Sequence, residues 1–176
     1  TPAGHWDMSG YLAFAYLLFL YHRIDRFNRK AVTNMDDNAR AKITIEASIL
    51  ATPEQVWQCW TLPEHITKWN QASDDWHTPH AENDLRVGGR FSSRMESKDG
   101  KYGFDFWGVY DLVEPFHRLD YTIGDGRTVH ITMEPGDGGT YVVETFEAEG
   151  EHSVELQRQG WQAILDHFKR YVENRL

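Results

Sequence analysis

A chain of 176 residues with 14% aromatic content and seven Trp has material for one well-buried domain and a small appendage. Its net charge of −9 excludes a binder of nucleic-acid backbone, which needs clustered cations. Cys59 is the only cysteine, so no intrachain disulfide forms, and a reducing, cytoplasmic setting is the simpler reading.

Residues 1–34 stand apart from the rest as an N-terminal extension. Arg23, Arg26, Arg29 and Lys30 against Asp7 and Asp25 give this stretch +2 and leave −11 for the remainder. Every residue from Tyr11 to Tyr21 is apolar or aromatic, and Ile24 and Phe27 continue the pattern at helical spacing. A helix over that run spans only about 16 Å, against roughly 30 Å of bilayer core, so a transmembrane span is not expected. The positive charges follow the apolar run, which is the wrong order for a signal peptide. The expectation is a helix from about Met8 to Arg29 packed against protein, across a homodimer rather than on its own domain. Two alternatives are a segment upstream of a natural start at Met35 and an interfacial membrane helix.

A polar linker, Asn34 to Ala39, leads into the second unit, residues 35–176. Lys42 to Leu50 alternates Ile43, Ile45 and Ala47 against Thr44, Glu46 and Ser48, the period of a half-buried strand. Thr52 and Pro53 then start a helix, with Gln55 as capping-box partner and Val56, Trp57 and Trp60 on its buried side. A second short helix spans Glu64 to Trp69. From Trp76 onward strands alternate with turn signals at Val87-Gly88-Gly89, Asp99-Gly100, Asp125-Gly126 and Asp137-Gly138. The strands are Arg90 to Ser97, Tyr102 to Val113, Arg118 to Ile123, Arg127 to Glu134 and Thr140 to Ala148.

Alternation assigns faces. Phe91 and Met95, then Phe104, Phe106, Tyr110 and Leu112, then Leu119, Tyr121 and Ile123, then Val129, Ile131 and Met133 are expected to point inward. The last strand is ambiguous, because Val142 and Phe146 on one side are matched by Tyr141 and Val143 on the other. Ser153 to Glu173 closes the chain as a long helix whose apolar face carries Val154, Trp161, Leu165, Phe168 and Val172, with Ile164 and Tyr171 beside them. The order is α+β: an antiparallel meander with one long helix at its end.

Several segments together resemble a known family. Ile43 to Ala47 followed by Ala51-Thr52-Pro53-Glu54-Gln55-Val56-Trp57, then Thr61-Leu62-Pro63-Glu64-His65 with Trp69, is similar to the opening signature of the activator-of-heat-shock-protein-ATPase-like group. That group belongs to the SRPBCC (START/polyketide cyclase/Bet v 1-like) superfamily. Asp84 to Gly89, Gly108-Val109-Tyr110, Glu114-Pro115, Arg118-Leu119 and Gly160-Trp161 with Leu165 and Phe168 resemble later parts in the same order. The resemblance covers about Lys42 to Leu176 and leaves residues 1 to 34 without a counterpart. It implies a helix-grip fold: a curved antiparallel sheet wrapped around the C-terminal helix, two short helices closing one end, and a cavity between sheet and helix.

Motifs for chemistry are scarce. His77-Thr78-Pro79-His80 sits on extended chain, where i and i+3 face opposite ways, so no metal site is expected. Cys59, inside a short amphipathic helix, reads as a small buried hydrophobe. No Gly-x-Ser-x-Gly elbow, Walker loop or dinucleotide fingerprint occurs, and no cofactor is expected. What remains is a set of inward aromatic, Met and apolar groups of the kind that line ligand pockets: Trp76, His80, Phe91, Met95, Phe104, Phe106, Tyr110, Tyr121, Met133, Trp161, Leu165 and Phe168. Tyr110, Tyr121 and His80 are its polar handles, joined by Glu144 or His130 if the strand registers shift. The leading expectation is a cavity for a small hydrophobic ligand of lipid, polyketide or flavonoid type. The family name implies a second, docking on a chaperone, and superfamily relatives a third, a cyclase or hydrolase-like enzyme using pocket Tyr, His or Glu.

Overall fold

The computed structural model describes residues 40 to 175. The expected N-terminal helix and its dimer contact lie outside the described residues. Among them run strand β1 (Lys42–Ile49), helices α1 (Pro53–Thr61) and α2 (Pro63–Trp69), strands β2 (Trp76–Asn83), β3 (Arg90–Ser97), β4 (Gly103–Glu114), β5 (Arg118–Ile123), β6 (Thr128–Gly136) and β7 (Gly139–Glu147), and helix α3 (Val154–Glu173). The strands form one antiparallel sheet in the order β1-β7-β6-β5-β4-β3-β2. This is the helix-grip arrangement: the sheet curves around α3, and α1 and α2 close one end.

Local chemistry accounts for the elements. Thr52 and Gln55 form a reciprocal capping box at the start of α1, with Pro53 at its first position. Ser153 caps α3 by accepting from the Leu156 amide. The Asp-Gly hairpins hold Gly100, Gly126 and Gly138 at φ of +72°, +83° and +78°, the left-handed region that glycine enters without a steric penalty.

Both sheet edges are managed. Along β1, the carbonyls of Thr44, Glu46 and Ser48 accept from Arg158, Gln162 and Lys169 of α3, and Glu173 accepts from the Leu50 amide. The helix thus satisfies an edge that would otherwise invite another strand. At the far edge α2 packs on β2, whose pairing with β3 slips between His77 and His80 at Pro79, a place where proline is tolerated.

Two expected side-chain directions are corrected. Alternation predicts Leu112 inward, but a register shift between Tyr110 and Leu112 inverts the pattern, so Val113 packs on the core opposite the fully buried Leu119. Val154, expected on the buried face of α3, is 41% exposed at the helix start. Gln157 is the buried residue of the first turns instead. Its side chain accepts from the Glu149 amide at 2.9 Å and donates to the carbonyls of Glu149 and His152, pinning the incoming loop. Gly160 is buried, as its place on an interior helix face requires.

Candidate functional site

The space between sheet and α3 is not filled. A partly open cavity of about 90 Å³ lies there, and each wall comes from a different element. Strand alternation on β3 delivers Phe91, Ser93 and Met95; β4 delivers Phe106 and Tyr110, β5 Tyr121 and β7 Glu144. Helix α3 supplies Trp161, Ile164 and Leu165, α1 supplies Trp60, and α2 with its C-cap supplies Ile66, Trp69 and Asn70. Glu82 of β2 stands at the rim, largely exposed.

Phe91 is the central ring of the sheet wall. Its centroid lies 4.8 Å from Tyr121, 5.2 Å from Tyr110 and 5.9 Å from Phe106. Gly108, paired with Phe91 across β3 and β4, makes room for that ring: a Cβ there would come within 2.7 Å of Phe91 Cζ. On the helix wall Trp161 stacks on Phe146 with centroids 4.0 Å apart and meets Phe106 edge-on. Tyr110 donates to Asn83 Oδ1 at 3.0 Å, and Asn83 donates to the Thr61 carbonyl at 2.6 Å, tying β4, β2 and the end of α1 together.

The floor is polar. Glu144, between Val142 and Phe146 on the inner face of β7, is 5% exposed and flanked by its sheet neighbours Ile45 and Ile131. Among the described residues its one hydrogen bond is a long one, donated by the Tyr121 hydroxyl at 3.5 Å. Burial pushes the Glu144 carboxyl up to about 8, only partly offset by that bond, so it is mainly protonated at neutral pH. Burial, with the nearby Glu144 carboxyl, holds Tyr121 well above the ordinary phenol range, and burial raises Tyr110. Both tyrosines stay neutral and act through hydrogen bonds.

The structure brings together Phe91, Met95, Phe106, Tyr110, Tyr121, Trp161 and Leu165 of the residues anticipated from sequence, and leaves five away from the cavity lining. His80 is corrected outright: it lies on the exposed side of β2 beside Glu82, because the slip at Pro79 reorients the strand. Trp76 and Phe104 form a separate small cluster with Met95. Met133 is buried in the main core under β6, and Phe168 is fully buried against Trp60 and Trp69. His130 lies on the outer face, beside Asp120 and Arg118. Sequence reading missed Trp60, Ile66, Trp69, Asn70, Glu82, Ser93 and Ile164. Ser93 was available from the period of two between Phe91 and Met95, whereas the α1 and α2 groups reach the cavity only through the docking angle of those helices. Among the described residues no group of three or more His, Cys, Asp or Glu side chains has the geometry to hold a metal ion.

Cavity, curved sheet and gripped helix define the class as a helix-grip domain. The family model for "Activator of Hsp90 ATPase homolog 1-like protein" matches residues 50–173, and the chain belongs to that family. The solution structure of an AHSA1-like protein from Aeromonas hydrophila is similar at 50% identity and a TM-score of 0.74, with 77% of this chain and 94% of that one covered. A protein from Cytophaga hutchinsonii, also solved in solution, is 50% identical with a TM-score of 0.67, over 76% of this chain and 93% of that one. A crystal structure from Nitrosomonas europaea shares the fold at 19% identity and a TM-score of 0.65, over 82% of this chain and all of that one. No curated protein matches the chain. No helix among the described residues is long and apolar enough to cross a membrane.

Proposed function

We propose that this protein binds a small, largely apolar molecule in the cavity between sheet and α3. The observation that carries the reading is the cavity itself, walled by aromatic and aliphatic groups over a buried Tyr121–Glu144 pair. Such a lining, apolar with a few placed polar groups, is how proteins hold small ligands. Its volume narrows the ligand class. At about 90 Å³ the cavity is smaller than an engineered apolar cavity of about 150 Å³ that holds benzene, so it admits a one-ring ligand only if part of the ligand extends to the open rim or the walls give way. Ligands of lipid or flavonoid size require α3 or the α1–α2 end to move outward.

Titration with toluene and with indole, followed by melting temperature and by NMR of the Trp161 indole, tests this. A ligand that binds only the folded state stabilises it by about 2.7 kcal/mol at a hundred times its Kd. Saturable stabilisation with shifts at Trp161 is expected; no saturable response from either probe overturns the reading.

Docking on a chaperone, which the family description implies, has one observation in its favour. Phe116, at the β4–β5 turn, is 43% exposed and sits at φ +67°, a conformation that costs a bulky residue of order 1–3 kcal/mol. Loss of chaperone binding in Phe116→Gly, with melting unchanged or improved, would favour that reading.

A further inference from the structure

We infer that the cavity is built for a ligand carrying a protonated amine, whose ammonium group pairs with Glu144 on the cavity floor. The inference rests on the ligand-binding reading above and specifies its chemistry.

Charge inside the cavity is one-sided. The buried charge-bearing group is Glu144 on the floor; Glu82, at the rim, is largely exposed and faces His80 at 3.2 Å, and among the described residues that line the cavity there is no Lys, Arg or His. A carboxylate or phosphate ligand would find no cation there. Glu144 is more than nine-tenths buried, faces the cavity, and among the described residues has one hydrogen bond, the 3.5 Å one that Tyr121 donates. Once ionised, a carboxylate has about four acceptor sites, which leaves room for donors from a ligand beside the one long bond from Tyr121. The rings around it, Phe91, Tyr121 and Trp161, present π-systems whose negative faces attract an organic cation. A neutral carbonyl or alcohol could use one proton from Glu144 or Tyr121, but would lack the charge–charge and cation–π attraction that an ammonium gains here. The chain's net charge of −9 also favours the approach of cations.

The pairing moves a proton. Without ligand, Glu144 holds its proton at neutral pH because burial pushes its carboxyl up to about 8. The arriving ammonium keeps all its protons and stabilises the carboxylate, so the carboxyl proton passes to the buffer as the ion pair forms. The groups facing Glu144 are Tyr121 and Tyr110 from β5 and β4, both neutral; β1 and β6 contribute Ile45 and Ile131, and α3 contributes Trp161 and Leu165. None of them competes for that proton below pH 8.

Three one-ring probes decide the matter: phenethylamine, 2-phenylethanol and phenylacetate, titrated calorimetrically into the full chain at pH 7 in phosphate and in Tris. The expected result is tightest binding of phenethylamine, with close to one proton released per amine bound. Its affinity should rise about tenfold per pH unit between pH 6 and 7. Glu144→Gln should lose tenfold or more in amine affinity, a difference of about one decade in Kd, and bind 2-phenylethanol as before. Should that variant fail to fold, proton release by the unaltered protein decides alone. If 2-phenylethanol or phenylacetate binds as tightly as the amine, or if no proton is released, the amine inference is overturned and the cavity reading survives. Silence from all three probes overturns both.

Discussion

Replacing Phe168 by alanine is expected to destabilise the domain by about 4 kcal/mol, within the 3–5 kcal/mol usual for deleting a buried aromatic. Phe168 is fully buried, and its ring lies 4.7 Å from Trp60 and 4.8 Å from Trp69, both edge-on. It is where α3 meets α1 and α2, so its loss uncouples the helix from the end of the fold. Transfer of the ring to water accounts for about 2–3 kcal/mol. Each aromatic pair adds about 0.5–1.5 kcal/mol. The hole left behind costs more where large rings cannot collapse into it. For a chain of this size that total lowers Tm by about 8–16 °C, read by calorimetry or by a urea titration at fixed m-value. Phe168→Leu, which keeps most of the volume, should cost about 1 kcal/mol. Trp161→Ala should cost less than Phe168→Ala, because Trp161 is only half-buried and borders an existing cavity. A loss below about 1 kcal/mol for Phe168→Ala would refute the claim that the sheet is organised around α3.

Other outcomes follow from the same geometry. Glu144 has its folded-state pKa raised from 4.5 to about 8, so its contribution is most favourable below 4.5, erodes as pH rises, and becomes a constant penalty above 8. Each pH unit by which a pKa is displaced is worth about 1.4 kcal/mol. Glu144→Gln should therefore raise stability at pH 8 by a few kcal/mol and change little at pH 4.5; equal effects at both pH values would contradict the buried-acid account. His65, whose Nδ1 lies 2.7 Å from the Tyr171 hydroxyl, has its pKa lowered by burial and then by Arg175. Stability from keeping it neutral is complete above about 6.5 and is lost as pH falls below that, so His65→Gln should flatten the acid limb of a pH–Tm curve. Gly108→Ala should push the Phe91 ring out of the cavity wall, since the new methyl meets Phe91 Cζ at 2.7 Å and the Thr122 carbonyl at 2.8 Å; probe binding should weaken more than Tm falls. Deleting residues 1–34 is expected to leave a folded, ligand-competent domain and to abolish a dimer, as sedimentation velocity would show.

Much of this architecture was legible because it is written in short-range rules. The capping box at Thr52, the Asp-Gly hairpins and the period of two along β5 and β6 each specify an element without reference to anything distant. What escaped depends on registers and docking angles. A single extra residue near Asp111 reversed the facing of Leu112 and Val113, and the slip at Pro79 turned His80 outward. Trp60 and Trp69 reach the cavity because α1 and α2 fold over the end of the sheet, which no local pattern encodes.

Glu144 shows the limit most clearly. Val142 and Phe146 place it inward by strict alternation, but Tyr141 and Val143 offer an equally apolar opposite face, and a carboxylate among them argues for solvent. Pairing with β1 resolves the choice: Ala47 opposes Val142, Ile45 opposes Glu144 and Ile43 opposes Phe146, and all three β1 residues are buried. The chain therefore buries an acid that hydrophobic patterning alone would expel, because both the β6–β7 hairpin, which sets Ile131 opposite Glu144, and the β1–β7 register, set by contacts about a hundred residues apart, require it. A buried carboxyl with one long hydrogen bond lowers stability at neutral pH, and it does so on the floor of the cavity between sheet and α3. Local rules that favour folding are broken at functional or strained positions, and Glu144 breaks one at the point where the cavity walls converge.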